Sequence, residues 1–242
     1  MGEPVPDPQT HSNAEAQRDR ARPVQASKSI YREYAEALAV AAILALIIRT
    51  FLLQAYKIPS GSMEPTLLIG DHILVNKVAY GLRMPDSIFG FQFPGLSLGR
   101  YVVRFGSIHR GDVIVFVFPK DRSKDFIKRV IALAGDKVEV RGTQVYINDH
   151  KIADSHAHYS RLSSNSPMSA ARLYGDFGPE VVPPGKIFVM GDNRDQSYDS
   201  RFWGFVDVND VEGRAVIIYW SWDDDAQGLP KVRWSRIGKL IE

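Results

Sequence analysis

The 242-residue sequence contains no cysteine, which excludes disulfide bonds, thiolate metal sites and cysteine nucleophiles. Its net charge is small, +2 at neutral pH, and it has no zinc-finger, helix-turn-helix or aromatic RNA-binding motif. We therefore expect no nucleic-acid partner. Long apolar runs are also missing, with one exception near the N-terminus. The hydrophobic content of 45% is still sufficient for one sizeable core in a chain of this length.

The one long apolar run, ALAVAAILALIIRTFLL, extends from Ala37 to Leu53 and is interrupted by Arg49 and Thr50. The Leu, Ile, Val and Phe side chains of the run contribute roughly −3 to −6 kcal/mol to the free energy of insertion into a bilayer, whereas an arginine costs at most about +3.5 kcal/mol. Arg49 lies towards the end of the run, from which its guanidinium can reach the lipid headgroups. The sequence therefore predicts a transmembrane anchor helix over residues 34–55.

Residues 1–33 are rich in Pro, Gln, Ser, Asp and Arg and are predicted to form a disordered tail. A cleavable signal peptide and a buried core helix are the alternatives to an anchor, but the tail is long and no small-x-small pair follows the run. Only Lys57 is basic within about twenty residues after the run, so the positive-inside rule predicts a cytoplasmic N-terminus. The basic residues before the run are Arg18, Arg20, Arg22, Lys28 and Arg32.

Beyond the anchor, helical periodicity is weak, and short β-branched or aromatic runs are bounded by Gly, Pro, Asn and Asp. These runs are HILVNKVAYG, DVIVFVFP, FIKRVIAL, DKVEVRGTQVYIND, KIFVMGD and AVIIYWSW. They predict a mostly β fold, an antiparallel sheet or barrel-like domain over residues 56–242. Turns are expected at Arg141-Gly142 and Asn148-Asp149. The poorly patterned segment up to Pro184 predicts an inserted loop or subdomain over about 141–184, with its irregular part over 152–184.

The stretch YKIPSGSMEPTLLIGD, Tyr56 to Asp71, follows the anchor directly. Pro59 fixes φ and Gly61 permits unusual φ values, so the stretch can form a tight turn from which hydroxyl groups project. Ser62 is therefore a candidate nucleophile. The alternative is an ordinary Ser/Gly loop, and a serine nucleophile also needs a base.

Lys128, in DFIKRVIALAGD, is the candidate base, because no histidine has a favourable setting and no serine lies in a G-x-S-x-G turn. Strand alternation places Lys128 on one face with Phe126 and Val130, where burial would bring its pKa from about 10.4 to about 8. A strand-edge lysine with its amine in water is the alternative. His156 and His158 could bind a loop metal, but a solvated loop is the better interpretation without further ligands.

A third stretch, VMGDNRDQSYDSRFWGFV from Val189 to Val206, concentrates Asp, Asn, Arg and Ser side chains in one loop. Such a loop can simply satisfy its own hydrogen bonds through Asx turns and ion pairs. Loops on a rigid scaffold are also where active sites are assembled.

The motifs PSGSMEPTL, RGDVIVF, IKRVIALAGD and GDNRDQSYDSRFWGFV, in this order behind an anchor, resemble the sequence boxes of the bacterial type I signal peptidase (leader peptidase) family. The resemblance extends from about Ala37 to Tyr219. It implies a Ser/Lys serine endopeptidase of the bacterial cytoplasmic membrane that removes signal peptides from translocated preproteins after a small-x-small motif. It also implies contact with the lipid bilayer and the protein translocation machinery, and no metal or cofactor.

By the same resemblance, Ser62 is the acylating nucleophile and Lys128 its general base. The Ser62 N–H and the Ser60 hydroxyl would form the oxyanion hole, and Ser197 would orient the Lys128 amine. Two further matched positions, which pair to support the site in the family, are Asp199 and Arg201. The matched positions that line the substrate pockets are Ile58, Met63, Val115 and Ile127.

The stretch SIFGFQFPGLSLGRYVV, Ser87 to Val103, carries four aromatic residues among Gly and Pro and is predicted to enter the bilayer interface, with a buried β-bend as the alternative.

Many relatives carry a second membrane segment and a larger insert, whereas this sequence has one credible membrane-spanning segment and a modest insert. A self-cleaving repressor of the SOS type would need a DNA-binding domain in place of the anchor. The non-enzymatic alternative is a membrane-tethered β-domain that binds exported proteins.

Overall fold

The computed structural model describes residues 30–83, 87–88, 91–92, 101–160, 175–223 and 231–242. The chain divides into two compact units, residues 1–44 and residues 45–242. Most of the predicted tail, residues 1–29, and most of the aromatic stretch Ser87 to Val103 lie outside the described residues.

One helix among the described residues is long and apolar enough to cross a membrane. It comprises α1, Ile30–Ile47, and a π-helical turn, Ile48–Leu52, with a mean hydropathy of 2.1 and no buried residue. At 1.5 Å per residue it rises about 34 Å, which matches a hydrocarbon core of about 30 Å. The predicted bounds, 34–55, are shifted, because residues 53–55 belong to a strand whose backbone pairs with residues 74–76.

The rest of the described chain is built mainly of antiparallel strands, as predicted. In chain order they are β1 (Leu53–Lys57), β2 (Asp71–Asn76), β3 (Gly81–Arg83), β4 (Ser87–Ile88), β5 (Phe91–Gln92), β6 (Tyr101–Arg104), β7 (Val113–Val117), β8 (Asp125–Leu133), β9 (Lys137–Arg141), β10 (Gln144–Ile147), β11 (His150–Lys151), β12 (Phe177–Val181), β13 (Lys186–Met190), β14 (Val206–Asp207), β15 (Val211–Asp223) and β16 (Lys231–Val232). A short helix, α2, spans Ser200–Trp203.

The large sheet has the strand order β1-β2-β15-β7-β8-β13-β14, with β16 paired to β15. Its central strand β7 is buried along its whole length. Val113 and Val115 enter one apolar cluster, whereas Ile114 and Phe116 enter another, so the sheet carries core on both faces. All six runs predicted as strands contribute strands, and the predicted mostly β fold is confirmed.

A second sheet, with the order β11-β10-β9-β12, occupies part of the segment predicted as an insert. The β10-β11 turn places Asn148 at φ 52° and Asp149 at φ 68°, the left-handed values that a two-residue hairpin turn requires. This sheet packs on β8 and β13 through a third cluster, which joins Val138 and Val145 to Ile131 and Phe188.

Strand β8 changes neighbours along its length. It pairs with β7 from Asp125 to Arg129 but with β13 only from Arg129 to Leu133. In the part of the chain that the structure describes, residues 126–128 thus have no strand beside them on the β13 side. Edge strand β1 approaches β8 nearby, because the Tyr56 hydroxyl lies 3.5 Å from Asp125 Oδ2. We call the stretch of residues 126–128 the open edge of β8.

Candidate active site

Ser62 lies in a single 3₁₀ turn, Gly61–Met63, between β1 and β2. Ile58 on one side of the turn and Met63 within it are 2% and 0% exposed, so the turn is fixed to the core at both ends. Ser62 itself is 8% exposed. The Pro- and Gly-containing stretch therefore holds a hydroxyl group at the edge of the core rather than in a solvated loop.

Lys128 meets Ser62 from the open edge of β8. Its Nζ lies 2.8 Å from Ser62 Oγ and donates a hydrogen bond of 2.9 Å to Ile127 O. The side chain follows the predicted alternation, with Phe126 and Val130 in the cluster on one face of β8 and Ile127 against the cluster on the other. Lys128 is 4% exposed, so the alternative of an amine in water is wrong.

Burial lowers the pKa of the Lys128 amine from its ordinary 10.5 to about 8. The negative charges of Asp199 and Asp192 oppose this decrease in pKa, and the positive charge of Arg201 adds to it. A neutral amine within hydrogen-bond reach of a hydroxyl can accept its proton, and a serine so activated can attack a carbonyl carbon. The pair therefore has the geometry and the electrostatics of a nucleophile and its base.

Asp199 and Arg201 form a bidentate ion pair with N–O distances of 2.8 and 2.9 Å, and both side chains are almost fully buried. Asp199 also accepts from the Gly191 N–H at 3.0 Å, and Arg201 Nη2 donates to Arg194 O at 2.6 Å. The pair thus ties the two ends of the loop between β13 and α2 together, close enough to Lys128 for its charges to act on the amine.

Ser197 is buried beside this pair, but its Oγ has no hydrogen-bond partner among the described residues. The structure does not show the contact with Lys128 that the resemblance implies. Gly191 lies against Ser197 and the turn: a Cβ added there would come within 3.0 Å of Ser62 O and of Ser197 Oγ. Ser60 is exposed directly before the turn.

The four predicted pocket residues lie together beside the pair. Ile58, Met63 and Val115 belong to one apolar cluster, and the half-buried Ile127 packs against it. The cluster presents an apolar wall next to Ser62, with its members packed against one another.

Sequence reasoning missed a buried ion pair that joins three parts of the site. Arg129, next to Lys128, donates bidentate hydrogen bonds of 2.8 and 2.7 Å to Asp192, and neither side chain is more than 2% exposed. Asp192 also accepts from Thr66 Oγ1 at 2.6 Å, on the segment that follows Ser62. Arg129 could have been suspected, because alternation in a strand buried on both faces places it in the interior.

A second missed cluster fixes the far end of the Ser62 loop. The buried Asp71 accepts from Leu68 N, from Ser221 Oγ at 2.6 Å and from Arg236 Nη2 at 2.6 Å. Arg236 also donates to Thr66 O at 2.8 Å. Apart from the local bond from Leu68 N, these contacts join residues 150 or more positions apart, so no local pattern signals them.

Among the described residues, no group of three or more His, Asp or Glu side chains is placed to hold a metal ion. His158 has a backbone role instead, because its N–H donates to Asp192 O at 2.7 Å and its carbonyl accepts from Arg194 N at 2.8 Å.

A family model described as signal peptidase, peptidase S26, matches residues 31–220. The chain belongs to this family. It is 34% identical to signal peptidase I of Pseudomonas fluorescens over 237 residues, which cover 86% of this chain and 78% of that protein. It is also 34% identical to signal peptidase I of Pseudomonas aeruginosa over 242 residues, with the same coverage of each chain.

A crystal structure of a signal peptidase I from Enterococcus faecalis is 32% identical, covers 46% of this chain and 97% of that chain, and superposes with a TM-score of 0.38. The family assignment rests on the sequence matches. With its apolar N-terminal helix, the chain is a membrane-anchored peptidase, so neither the repressor nor the non-enzymatic alternative is favoured.

Proposed function

We propose that this peptidase removes signal peptides from translocated preproteins after a small-x-small motif, with Ser62 as nucleophile and Lys128 as general base. The observation that carries the proposal is the distance of 2.8 Å between Lys128 Nζ and Ser62 Oγ in a buried setting that lowers the pKa of the amine. The names of the relatives, signal peptidase I, support the substrate class.

In the first step, neutral Lys128 accepts the Ser62 proton while Oγ forms a bond to the carbonyl carbon of the preprotein. The oxyanion that develops accepts hydrogen bonds from the Ser62 N–H and the Ser60 hydroxyl, each worth about 3 kcal/mol. Lys128 then donates its proton to the leaving amine, and the C–N bond breaks to give an ester at Ser62. A water molecule transfers a proton to Lys128 and attacks this ester. Lys128 then returns the proton to Ser62 Oγ as the C–O bond breaks, which frees the enzyme.

The substrate is proposed to bind as an added strand at the open edge of β8, where residues 126–128 have no strand beside them on the β13 side. Side chains two residues apart then face the same side, towards the wall formed by Ile58, Met63, Val115 and Ile127. Because this wall is already closely packed, it would leave room for small side chains only, which accounts for a small-x-small preference.

Ser197, Asp199 and Arg201 are proposed as supporting residues. Asp199 and Arg201 hold the loop that carries Ser197, as their hydrogen bonds to Gly191 N and Arg194 O indicate. The buried Ser197 hydroxyl is proposed to accept a hydrogen bond from the Lys128 amine during the reaction and so to orient it.

We further propose that α1 crosses the bacterial cytoplasmic membrane once, with the N-terminus cytoplasmic and the β-rich domain on the extracytoplasmic side near the translocation machinery. A second lipid contact is proposed at the C-terminal end of the aromatic stretch, where Val102, Val103 and the nearby Phe105 are 60%, 54% and 68% exposed. Replacing Val102 and Phe105 by aspartate should weaken binding of the domain lacking residues 1–52 to liposomes. Unchanged binding would count against this contact.

The proposed function predicts one cut in a preprotein incubated with the detergent-solubilised full chain. Mass spectrometry of the products should place that cut after the small-x-small motif, and replacing the small residue before the cut by leucine should slow cleavage at least tenfold, in line with the cost of a misfitting side chain. Folded protein that binds the preprotein without cutting it would instead support a membrane-tethered binding domain.

The pKa of Lys128 predicts how cleavage depends on pH. Only the neutral amine can accept the Ser62 proton, and burial places its pKa at about 8. Below that pH, kcat/KM should rise about tenfold per pH unit, and above it the rate should level off. Initial rates measured between pH 6 and pH 10 on one peptide provide the check. A flat profile would mean that Lys128 is not the base.

A further inference from the structure

Asn193 makes two hydrogen bonds to the turn that carries Ser62, and the mechanism above uses neither. Its side-chain Nδ2 donates to Gly61 O at 3.0 Å, and its backbone N–H donates to Ser62 O at 3.1 Å. Two successive carbonyl groups of the turn are therefore held by one residue. Asn193 itself is fully buried.

The bond to Gly61 O has a directional consequence. Gly61 C=O and Ser62 N–H belong to the same peptide unit, which is planar, and the Gly61-Ser62 bond is not among the cis bonds of the described residues. In a trans peptide the C=O and N–H vectors point in opposite directions. A donor that fixes the direction of Gly61 O therefore also fixes the direction of the Ser62 N–H, on the side of the turn away from Asn193.

We propose that Asn193 is a positioning residue of the oxyanion hole: by holding the Gly61-Ser62 peptide plane it aims the Ser62 N–H at the oxyanion. The same bond polarises the peptide, because a carbonyl that accepts a hydrogen bond makes the N–H of its own amide a stronger donor. Asn193 touches neither the substrate nor the reacting atoms. The inference deepens the proposed function and rests on it.

The orientation of the Asn193 amide is itself specified. Ser160 Oγ can donate to Asn193 Oδ1 at 3.1 Å or to Asp195 Oδ1 at 3.2 Å, and the bond to Asn193 directs the Nδ2 end of the amide towards Gly61. Gln196 Nε2 donates to the same Ser160 oxygen at 2.7 Å. Ser160 lies in the segment beyond β11, outside the second sheet, and we assign it as a second positioning residue.

Asn193→Ala removes the donor without adding charge. We expect kcat for peptide cleavage to fall about 10- to 50-fold, less than the roughly 10²- to 10³-fold loss on removing an oxyanion donor itself, because the Ser62 N–H remains and Gly61 O keeps one donor, the Glu64 N–H at 3.2 Å. KM should stay within about threefold, since the residue does not contact the substrate. Asn209→Ala, the same substitution at a position that follows β14 in the sequence, is the matched control and should cleave at the wild-type rate.

Two readouts separate positioning from a general structural defect. A peptide aldehyde, which forms a hemiacetal with Ser62 and places its oxygen in the hole, should lose affinity in proportion to kcat, whereas the alcohol of the same peptide should bind as before. The acid limb of the pH profile should keep its midpoint, because the contact between Lys128 and Ser62 is untouched. Equal losses for aldehyde and alcohol, or a shifted midpoint, would overturn the proposal.

Ser160→Ala keeps the proposal falsifiable if the Asn193 variant does not fold. Its kcat should fall about 3- to 10-fold, and the double variant should be no slower than Asn193→Ala alone, because both changes act on one chain of hydrogen bonds. Wild-type kcat in Ser160→Ala, or additive losses in the double variant, would contradict it. Failure of the wild type to cleave, or cleavage by Ser62→Ala, would contradict the proposed function. Loss of cleavage in Ser62→Ala together with wild-type kcat in Asn193→Ala would contradict only the inference about Asn193.

Discussion

Lys128→Met is expected to lower kcat/KM by about 10³- to 10⁵-fold and at the same time to make the protein more stable. The loss follows from removing the proposed general base of Ser62, as for other nucleophile-base pairs. The gain follows from burial: the decrease in the lysine pKa from 10.5 to about 8 costs the folded state about 3 kcal/mol at neutral pH. Methionine has a similar shape, carries no charge and packs well against Phe126.

The stability gain should depend on pH in a defined sense. The unfolded chain holds the Lys128 proton up to about pH 10.5, whereas the folded chain releases it near pH 8. Between these values the unfolded state binds more protons, so the stability of the wild type rises with pH while that of Lys128→Met lacks this contribution. Urea unfolding at pH 7 should therefore show a gain of about 1 to 3 kcal/mol, after allowance for the two lost hydrogen bonds, and the gain should shrink towards pH 10.

Ser62→Ala is the matched variant for this experiment. It should lose cleavage to a similar extent, but it keeps the buried amine and should not become more stable through the lysine. A Lys128→Met protein that is inactive yet less stable than the wild type at pH 7 would show that burial of the Lys128 amine does not destabilise the folded state. One that cleaves at the wild-type rate would refute the assignment of the base.

Local patterns predicted the strands and marked Ser62 and Lys128 as candidates, but they left an ordinary Ser/Gly loop and a strand-edge lysine open as alternatives. Alternation along β8 placed Lys128 opposite Ile127, and the burial of β7 and β8 then determines that the amine lies out of water. The Pro- and Gly-containing stretch indicated a fixed turn at Ser62. The pairing of the two residues, however, was predicted only through the resemblance, because no local pattern shows which turn meets which strand.

The contacts that hold the site together were beyond sequence reasoning for the same physical reason. Arg129 finds its partner Asp192 across 63 positions, and Asn193 finds Gly61 across 132. Such contacts depend on the order of strands in the sheet, which pattern and propensity do not specify. The end of the predicted anchor was misplaced because pairing with β2, a tertiary interaction, draws residues 53–55 out of the helix.

Gly191→Ala is expected to lower kcat at least 10²-fold. The added Cβ would lie within 3.0 Å of Ser62 O, a backbone atom that cannot rotate away, and of Ser197 Oγ and Cβ. The turn must then move, and a displacement of about 1 Å at a reacting group can cost about 10²-fold in rate. Steady-state cleavage gives kcat, and thermal unfolding of the same preparation reports how much stability is lost.

A Cβ can also destabilise a glycine position through backbone strain alone, and Gly185→Ala controls for this. Gly185 has φ 72° and nothing within 4 Å of the added atom, so its substitution should cost about 1 kcal/mol of stability and leave kcat unchanged. Gly191 has no such left-handed φ, so its effect should come from contact with Ser62 and Ser197. If Gly191→Ala instead kept wild-type kcat, the loop after β13 and the Ser62 turn would have to separate without disturbing the 2.8 Å contact with Lys128, and the turn would not be fixed from that side.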